Sequence, residues 1–79
     1  MSVVVYSKVP CGGCGIVKQI LDNADVPYTE KRIDLDESAM KELQDLGMMG
    51  VPVVKAEGIE PFSGVNMTGI EAIVAKYGK

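Results

Sequence analysis

The chain has 79 residues, room for one small unit spanning 1–79 and no second core, because a fold of this size buries only about 60% of the surface its unfolded chain exposes. Apolar residues make up 47% and charged residues 24%, an ordinary globular balance that excludes disorder and a membrane protein. With 8 basic against 11 acidic side chains, a net charge of -3 and no basic run, the chain lacks the electrostatic footprint of a nucleic-acid binder.

Val3-Val4-Val5-Tyr6 is a continuous β-branched and aromatic run with no polar alternation, which predicts a central strand covered on both faces. After the Ser7–Gly13 loop, Ile16, Val17, Ile20, Leu21 and Ala24 recur at helical spacing and predict a first helix from Cys11 to Ala24. Asp25-Val26-Pro27 ends it. Tyr28–Asp34 then alternates, with Thr29, Lys31 and Ile33 on one face and Glu30 and Arg32 on the other, as a half-exposed edge strand does. Asp34 and Asp36 are both N-cap types, and Glu37 is a capping-box partner for Asp34. They precede a second helix with Ala39, Met40, Leu43 and Leu46 on its apolar face and Gly47 as its stop. Val51–Lys55 is a short strand, Glu57-Gly58 a hairpin turn, and Ile59–Ser63 the return strand, placed at an edge by Pro61, which has no N–H to give a neighbour. The last helix starts at Asn66, or at Thr68 with Glu71 as its box partner, and carries Ile70, Ile73, Val74 and Tyr77 on one face.

The order is therefore β-α-β-α-β-β-α. A strand, helix and strand in succession pair in parallel through a crossover, whereas the tight Glu57-Gly58 turn forces the last two strands antiparallel. The expected fold is α/β, a four-stranded mixed sheet with helices on both faces. No stretch reaches the ~18 apolar residues needed to span a bilayer and no export signal is visible, so no membrane partner is expected and the expected compartment is the cytoplasm.

Two cysteines, Cys11 and Cys14, and no histidine leave a tetrahedral metal site two ligands short within one chain, and no cofactor is indicated. A disulfide closing so short a loop in a reducing compartment would stabilise little. Redox chemistry is the leading reason for the pair, because Cys11-Gly12-Gly13-Cys14 follows a buried strand and opens a helix. The helix N-terminus favours a thiolate at Cys11, making it the nucleophile, while Cys14, one turn inside, is shielded and resolves the mixed disulfide. Gly12, Gly13 and Gly15 weaken that turn; either they open the approach to Cys11 for a bulky substrate or they mark a frayed helix start. Lys8, three residues before Cys11, either favours the thiolate or meets a substrate carboxylate, or is an ordinary solvated lysine. Met40 is expected in the core, with Met48 and Met49 bordering the substrate groove.

Tyr6-Ser7-Lys8 ahead of the Cys-x-x-Cys, then Val51-Pro52-Val53-Val54, then Phe62-Ser63-Gly64 before the last helix, resemble the glutaredoxin-like branch of the thioredoxin fold. Within it the Pro-Val-Val strand and the Ser-Gly look most like the NrdH-redoxins. That resemblance implies a thioredoxin/glutaredoxin fold and a cis Val51-Pro52 bond. It also implies a substrate-binding surface made of Lys8, Gly12, Gly13, Val51, Pro52, Ser63 and Gly64. The implied protein is a monomeric dithiol-disulfide oxidoreductase that donates hydrogen to ribonucleotide reductase and is re-reduced by thioredoxin reductase. The chain departs from the branch where Phe62 replaces a tryptophan and where Val65-Asn66-Met67-Thr68 follows Gly64. Glutaredoxins that hold glutathione have an aromatic residue, a basic residue and acids where Gly13, Met48, Asn66 and Met67 stand, so glutathione is expected to bind weakly or not at all. Two alternatives stay open: a glutathione-dependent glutaredoxin, and a binding module in which two chains share a metal or iron-sulfur cluster through Cys11.

Overall fold

Val3–Ser7 forms β1 and every one of its residues is buried, which requires cover on both faces. The computed structural model describes residues 2–78; Met1 and Lys79, the ends of the expected 1–79 unit, lie outside the described residues. The remaining elements are α1 (Gly12–Asn23), β2 (Thr29–Arg32), α2 (Glu37–Asp45), β3 (Val53–Ala56), β4 (Ile59–Ser63) and α3 (Met67–Tyr77). One sheet of order β2-β1-β3-β4 joins the strands. β1 runs parallel to β2 and antiparallel to β3, and β3 and β4 form an antiparallel hairpin. The fold expected from the sequence is the one observed, with β1 central and β2 and β4 at the edges.

The period-2 alternation of β1 divides the core. Val3 and Val5 pack with Val17 and Leu21 of α1, Val54, Phe62, and Ile70 and Ile73 of α3. Val4 and Tyr6 face the other way, onto Leu43 of α2 and Val53. Each such apolar side chain, fully buried, contributes about 1.5–3 kcal/mol of transfer free energy. The two clusters therefore fix α1 and α3 on one face of the sheet and α2 on the other.

Several boundaries shift from the sequence expectation, each for a local reason. β2 stops at Arg32 because its ladder partner β1 ends at Ser7, the residue opposite Arg32. β3 begins at Val53, not Val51, because Val53 is the partner of Tyr6 and Pro52 has no N–H for a ladder. Asp36, not Asp34, caps α2, its carboxylate accepting from the Ser38 N–H at 3.0 Å; the Asp34 carboxylate is already held by two hydrogen bonds from Arg32. Asn66 caps α3 by accepting from the Gly69 N–H at 3.1 Å. Met40 is 38% exposed and Ile16 49%. Ala39 and Leu43 are the buried residues of α2, so Met40 is not the core filler its position on the periodic face suggested.

α1 ends in a Schellman arrangement, with the Val26 N–H donating to Leu21 O at 2.9 Å and the Asp25 N–H to Asp22 O at 3.1 Å. This places Asp25 at φ 56, a left-handed conformation that aspartate tolerates better than most residues. The two-residue turn Glu57-Gly58 is clamped by α3, since Lys76 Nζ and Tyr77 Oη both donate to Glu57 O at 2.9 Å.

Gly69→Ala is expected to destabilise the protein by about 1–3 kcal/mol, although alanine is favoured over glycine in a helix by about 1 kcal/mol. A Cβ there would lie 2.6 Å from two ring carbons of the buried Phe62. Urea unfolding of the variant checks this, and a rise in stability would contradict it.

The pH dependence follows from four carboxylates held below their usual range: Glu30 by Lys18, Asp34 by Arg32, Asp36 by Ser38 and Glu42 by Lys31. Because their folded-state values are depressed, their contribution is complete above the ordinary carboxylate range, from about pH 5–6 upward, and is lost progressively as the pH falls through their lowered folded-state values. Tyr6 and Tyr28 are pushed up to about 12, first by burial. The unfolded chain therefore releases those protons first, and stability falls again as the pH rises past about 10. Denaturation midpoints across this range are expected to trace both limbs; midpoints constant below pH 4 would contradict the acid limb.

Candidate active site

The last residue of β1, Ser7, feeds a short loop whose Val9-Pro10 bond is cis. Cys11 lies at its end as the N-cap of α1, in extended conformation. Its Sγ accepts the Cys14 N–H at 3.1 Å, so the sulfur occupies the place where helices hold a capping oxygen. Cys11 and Cys14 are joined as a disulfide with their Cα atoms 5.4 Å apart. Cys14 is 2% exposed, whereas Cys11 is half-buried, so one sulfur of the pair faces solvent and the other faces the core.

Two further segments meet this turn. The Val51-Pro52 bond is cis, as the resemblance implied, and Pro52 is buried against Gly13. A Cβ at Gly13 would stand 3.2 Å from Pro52 Cδ and 3.5 Å from Val65 Cγ2. Gly64, at φ 74, donates its N–H to Pro52 O at 2.8 Å. It thereby ties the start of the α3 loop to the proline. Ser63 is exposed at the end of β4, in register with Val53. Gly12, Gly13, Val51, Pro52, Ser63 and Gly64 thus gather around the disulfide or the segments packed on it.

The glycines of the turn differ in kind. Nothing lies within 4 Å of a Cβ placed at Gly12 or Gly15, so those two leave open space, while a Cβ at Gly13 would press on Pro52 and stand in ordinary contact with Val65. Lys8 is exposed and makes no ion pair among the described residues.

Sequence reasoning missed two contributors. Asp34, read as a cap, accepts from the Val9 N–H at 3.4 Å while Arg32 holds it with bonds of 2.6 and 2.7 Å. The Arg32 guanidinium lowers the Asp34 carboxyl to about 2, so it is an anion at every physiological pH and braces the loop before Cys11. Only the Arg-x-Asp spacing hinted at it. Val65 packs on Gly13 and is 42% exposed; nothing in its local sequence marks it.

Beneath the site on the α1 side, the buried Ser7 Oγ donates to Glu30 Oε2 at 2.6 Å, and Lys18 Nζ reaches the same oxygen at 2.8 Å. On the α2 side the Tyr6 hydroxyl donates to Glu42 Oε1 at 2.8 Å, and Lys31 pairs with that carboxylate. Both networks give a buried polar group of β1 a partner. Among the described residues no group of three or more His, Cys, Asp or Glu side chains is placed to hold a metal ion, and no helix is long and apolar enough to cross a membrane.

With this geometry in place, known proteins can be compared. Residues 3–59 match the family described as Glutaredoxin. The chain is 26% identical over 76 residues to the Gene 56 protein of Mycobacterium phage D29, covering 95% of this chain and 84% of that one. The crystal structure of the thioredoxin-like protein BC3987 superposes with a TM-score of 0.83 at 28% identity, covering 90% of this chain and 97% of that one. The glutaredoxin-like protein NrdH-redoxin from Escherichia coli superposes equally well, with a TM-score of 0.83 at 24% identity over 91% of this chain and 93% of that one; at that identity the likeness shows the shared fold. The family match spans the central strand, the Cys11–Cys14 turn, α2, Pro52 and β3 as far as the first residue of β4, and on that basis the chain belongs to the glutaredoxin family and is a thiol-disulfide oxidoreductase.

Proposed function

We propose that this protein is a dithiol reductant of protein disulfides, of the NrdH-redoxin kind, working as a monomer in the cytoplasm. Its electrons come from thioredoxin reductase, and ribonucleotide reductase is its target. The observation that carries this reading is the open approach to Cys11. Gly12 leaves free space beside it, and the exposed apolar side chains of Val9, two residues before it, and of Val65, packed on Gly13, border the turn; Met49 is exposed three residues before Pro52. Such a rim suits a polypeptide partner better than a small anionic peptide.

Reduced Cys11 is the nucleophile in this reading. The Cys14 N–H and the free amides of the first turn stabilise its thiolate. The thiolate attacks one sulfur of the substrate disulfide; a Cys11–substrate S–S bond forms, the substrate bond breaks, and one substrate thiolate leaves. Cys14 then attacks Cys11 Sγ as a thiolate, closing the Cys11–Cys14 bond and releasing the second substrate thiolate. Two electrons pass to the substrate, two protons from solvent complete its thiols, and the oxidised pair has the connectivity seen here. The backbone of Val51 enters none of the loop hydrogen bonds of the described residues, so its N–H and C=O are available to pair with an extended substrate segment. Pro52, Ser63 and Gly64 shape the floor and far wall of that groove.

Glutathione fits this surround poorly. It carries two carboxylates and an ammonium, yet Met48, Asn66 and Met67 stand where complementary charges would be needed, and the Asn66 side chain is occupied in capping α3. A missing charge partner costs about 2–5 kcal/mol when the pair is buried, or more than tenfold in affinity. The Escherichia coli NrdH-redoxin is a glutaredoxin-like protein with a thioredoxin-like activity profile, a precedent on the same fold for this division of labour.

Two measurements test the reading. NADPH oxidation coupled to insulin reduction is expected to be rapid with thioredoxin reductase and at least tenfold slower with glutathione and glutathione reductase, by the charge argument above; rapid turnover by glutathione alone would instead make the protein a glutathione-dependent glutaredoxin. Limiting iodoacetamide added to the reduced protein is expected to label Cys11 and spare Cys14. Cys14→Ser should then accumulate a mixed disulfide with insulin, whereas preferential labelling of Cys14 would reverse the two roles.

A further inference from the structure

Three methionines border one surface hollow of about 200 Å3 with Leu43 and Gln44: Met40 at the end of the first turn of α2, and Met48 and Met49 in the loop that follows it. Met48 is half-buried, packed on the α2-side core. Met49 is 97% exposed, the most exposed large apolar side chain among the described residues. From Met49 the chain passes through Gly50 directly into Val51 and the buried Pro52. The thioether therefore stands two residues from the groove edge, on a backbone fixed at Pro52 by the Gly64 hydrogen bond.

The accessible sulfurs of the oxidised protein can be ranked. Cys11 and Cys14 are closed in a disulfide, and Cys14 is buried besides. Met40 and Met67 are 38% and 48% exposed, and Met48 is half-buried. A thioether has no proton to lose, so its reactivity toward an oxidant is governed by access, and among the described residues access singles out Met49.

We propose that Met49 is a modification site: a hydroperoxide converts its thioether to the sulfoxide, which weakens docking of the disulfide-bearing protein substrate and leaves exchange at Cys11 and Cys14 intact. The proposal rests on the reading that the groove beside Pro52 receives a polypeptide. The thioether sulfur attacks the terminal oxygen of the hydroperoxide, the O–O bond breaks and an S–O bond forms. Sulfur loses two electrons, and the other oxygen leaves with them and the proton as an alcohol or, from hydrogen peroxide, water. A flexible apolar contact becomes a strongly polar one at the rim. Cys11, held by its own helix start, is untouched by the change.

The test uses the full chain in its disulfide form, treated with hydrogen peroxide, mapped by peptide mass spectrometry, and assayed with insulin and with a small aromatic disulfide. Sulfoxide is expected at Met49 ahead of Met40 and Met67. The KM for insulin is expected to rise about three- to tenfold, the loss of one apolar contact at a docking surface, with kcat and small-disulfide turnover unchanged. Met49→Leu, whatever its KM before treatment, is expected to show no further rise in KM after it, while Met67→Leu responds as the parent does. Slower oxidation of Met49 than of Met40 or Met67, or an unchanged insulin KM in the treated parent, would overturn the proposal while leaving the reductase reading standing. Untreated protein that turns over the small disulfide but not insulin would overturn both.

Discussion

The burial of β1 on both faces is the constraint on which the rest depends. A strand with only one covered face could end anywhere along its wet side. A strand enclosed between α1 and α3 on one side and α2 on the other has its direction and register fixed by packing in two directions. β1 therefore delivers the loop containing Cys11 to one defined point at its C-terminal end, where α1 begins. The reactive turn inherits the rigidity of the core without being part of it.

What surrounds that point is held by few and unlike interactions. Asp34, kept anionic by Arg32, reaches Val9 from just after one edge strand. Gly64 reaches Pro52 from the opposite edge, and Pro52 packs on Gly13. The segments just after the two edge strands thus each send one brace inward, to the loop before Cys11 and to the segment beside it. Between them Gly12 is left open. The site combines a firmly placed sulfur with an unobstructed approach, as disulfide exchange with a macromolecule requires, because the attacking thiolate must reach a sulfur carried on another folded surface.

The polar groups of β1 follow the same economy. Tyr6 and Ser7 are buried at the end of the strand nearest the cysteines, and each finds a carboxylate, Tyr6 that of Glu42 on the covering helix α2 and Ser7 that of Glu30 on the neighbouring strand β2. Lys31 and Lys18 neutralise those carboxylates in turn. Two short networks of matched sign allow polar side chains to end the strand without unpaired donors, and they sit on opposite faces because successive residues of a strand point to opposite sides.

The sequence by itself determined the elements and their order. The unbroken Val3–Tyr6 run, the helical spacing through Leu21, the Glu57-Gly58 turn and Pro61 are local signals, and they sufficed for a mixed sheet with β1 inside. The Cys-x-x-Cys after a buried strand likewise announced the chemistry, since strand, turn and helix start are contiguous in the chain. The tertiary structure alone decided which carboxylate caps and which braces. Asp34 and Asp36 are equivalent cap types in sequence, and only the position of Arg32 at the end of the β1–β2 ladder takes Asp34 away. It decided that Met40 faces outward while Ala39 and Leu43 face in, a matter of how α2 is rotated about its axis on the sheet, to which a short periodic pattern is tolerant. It decided also that Gly13, Pro52 and Val65 meet. Gly13 is tens of positions from both Pro52 and Val65, and their contact is set by the sheet order β2-β1-β3-β4, which local periodicity does not encode.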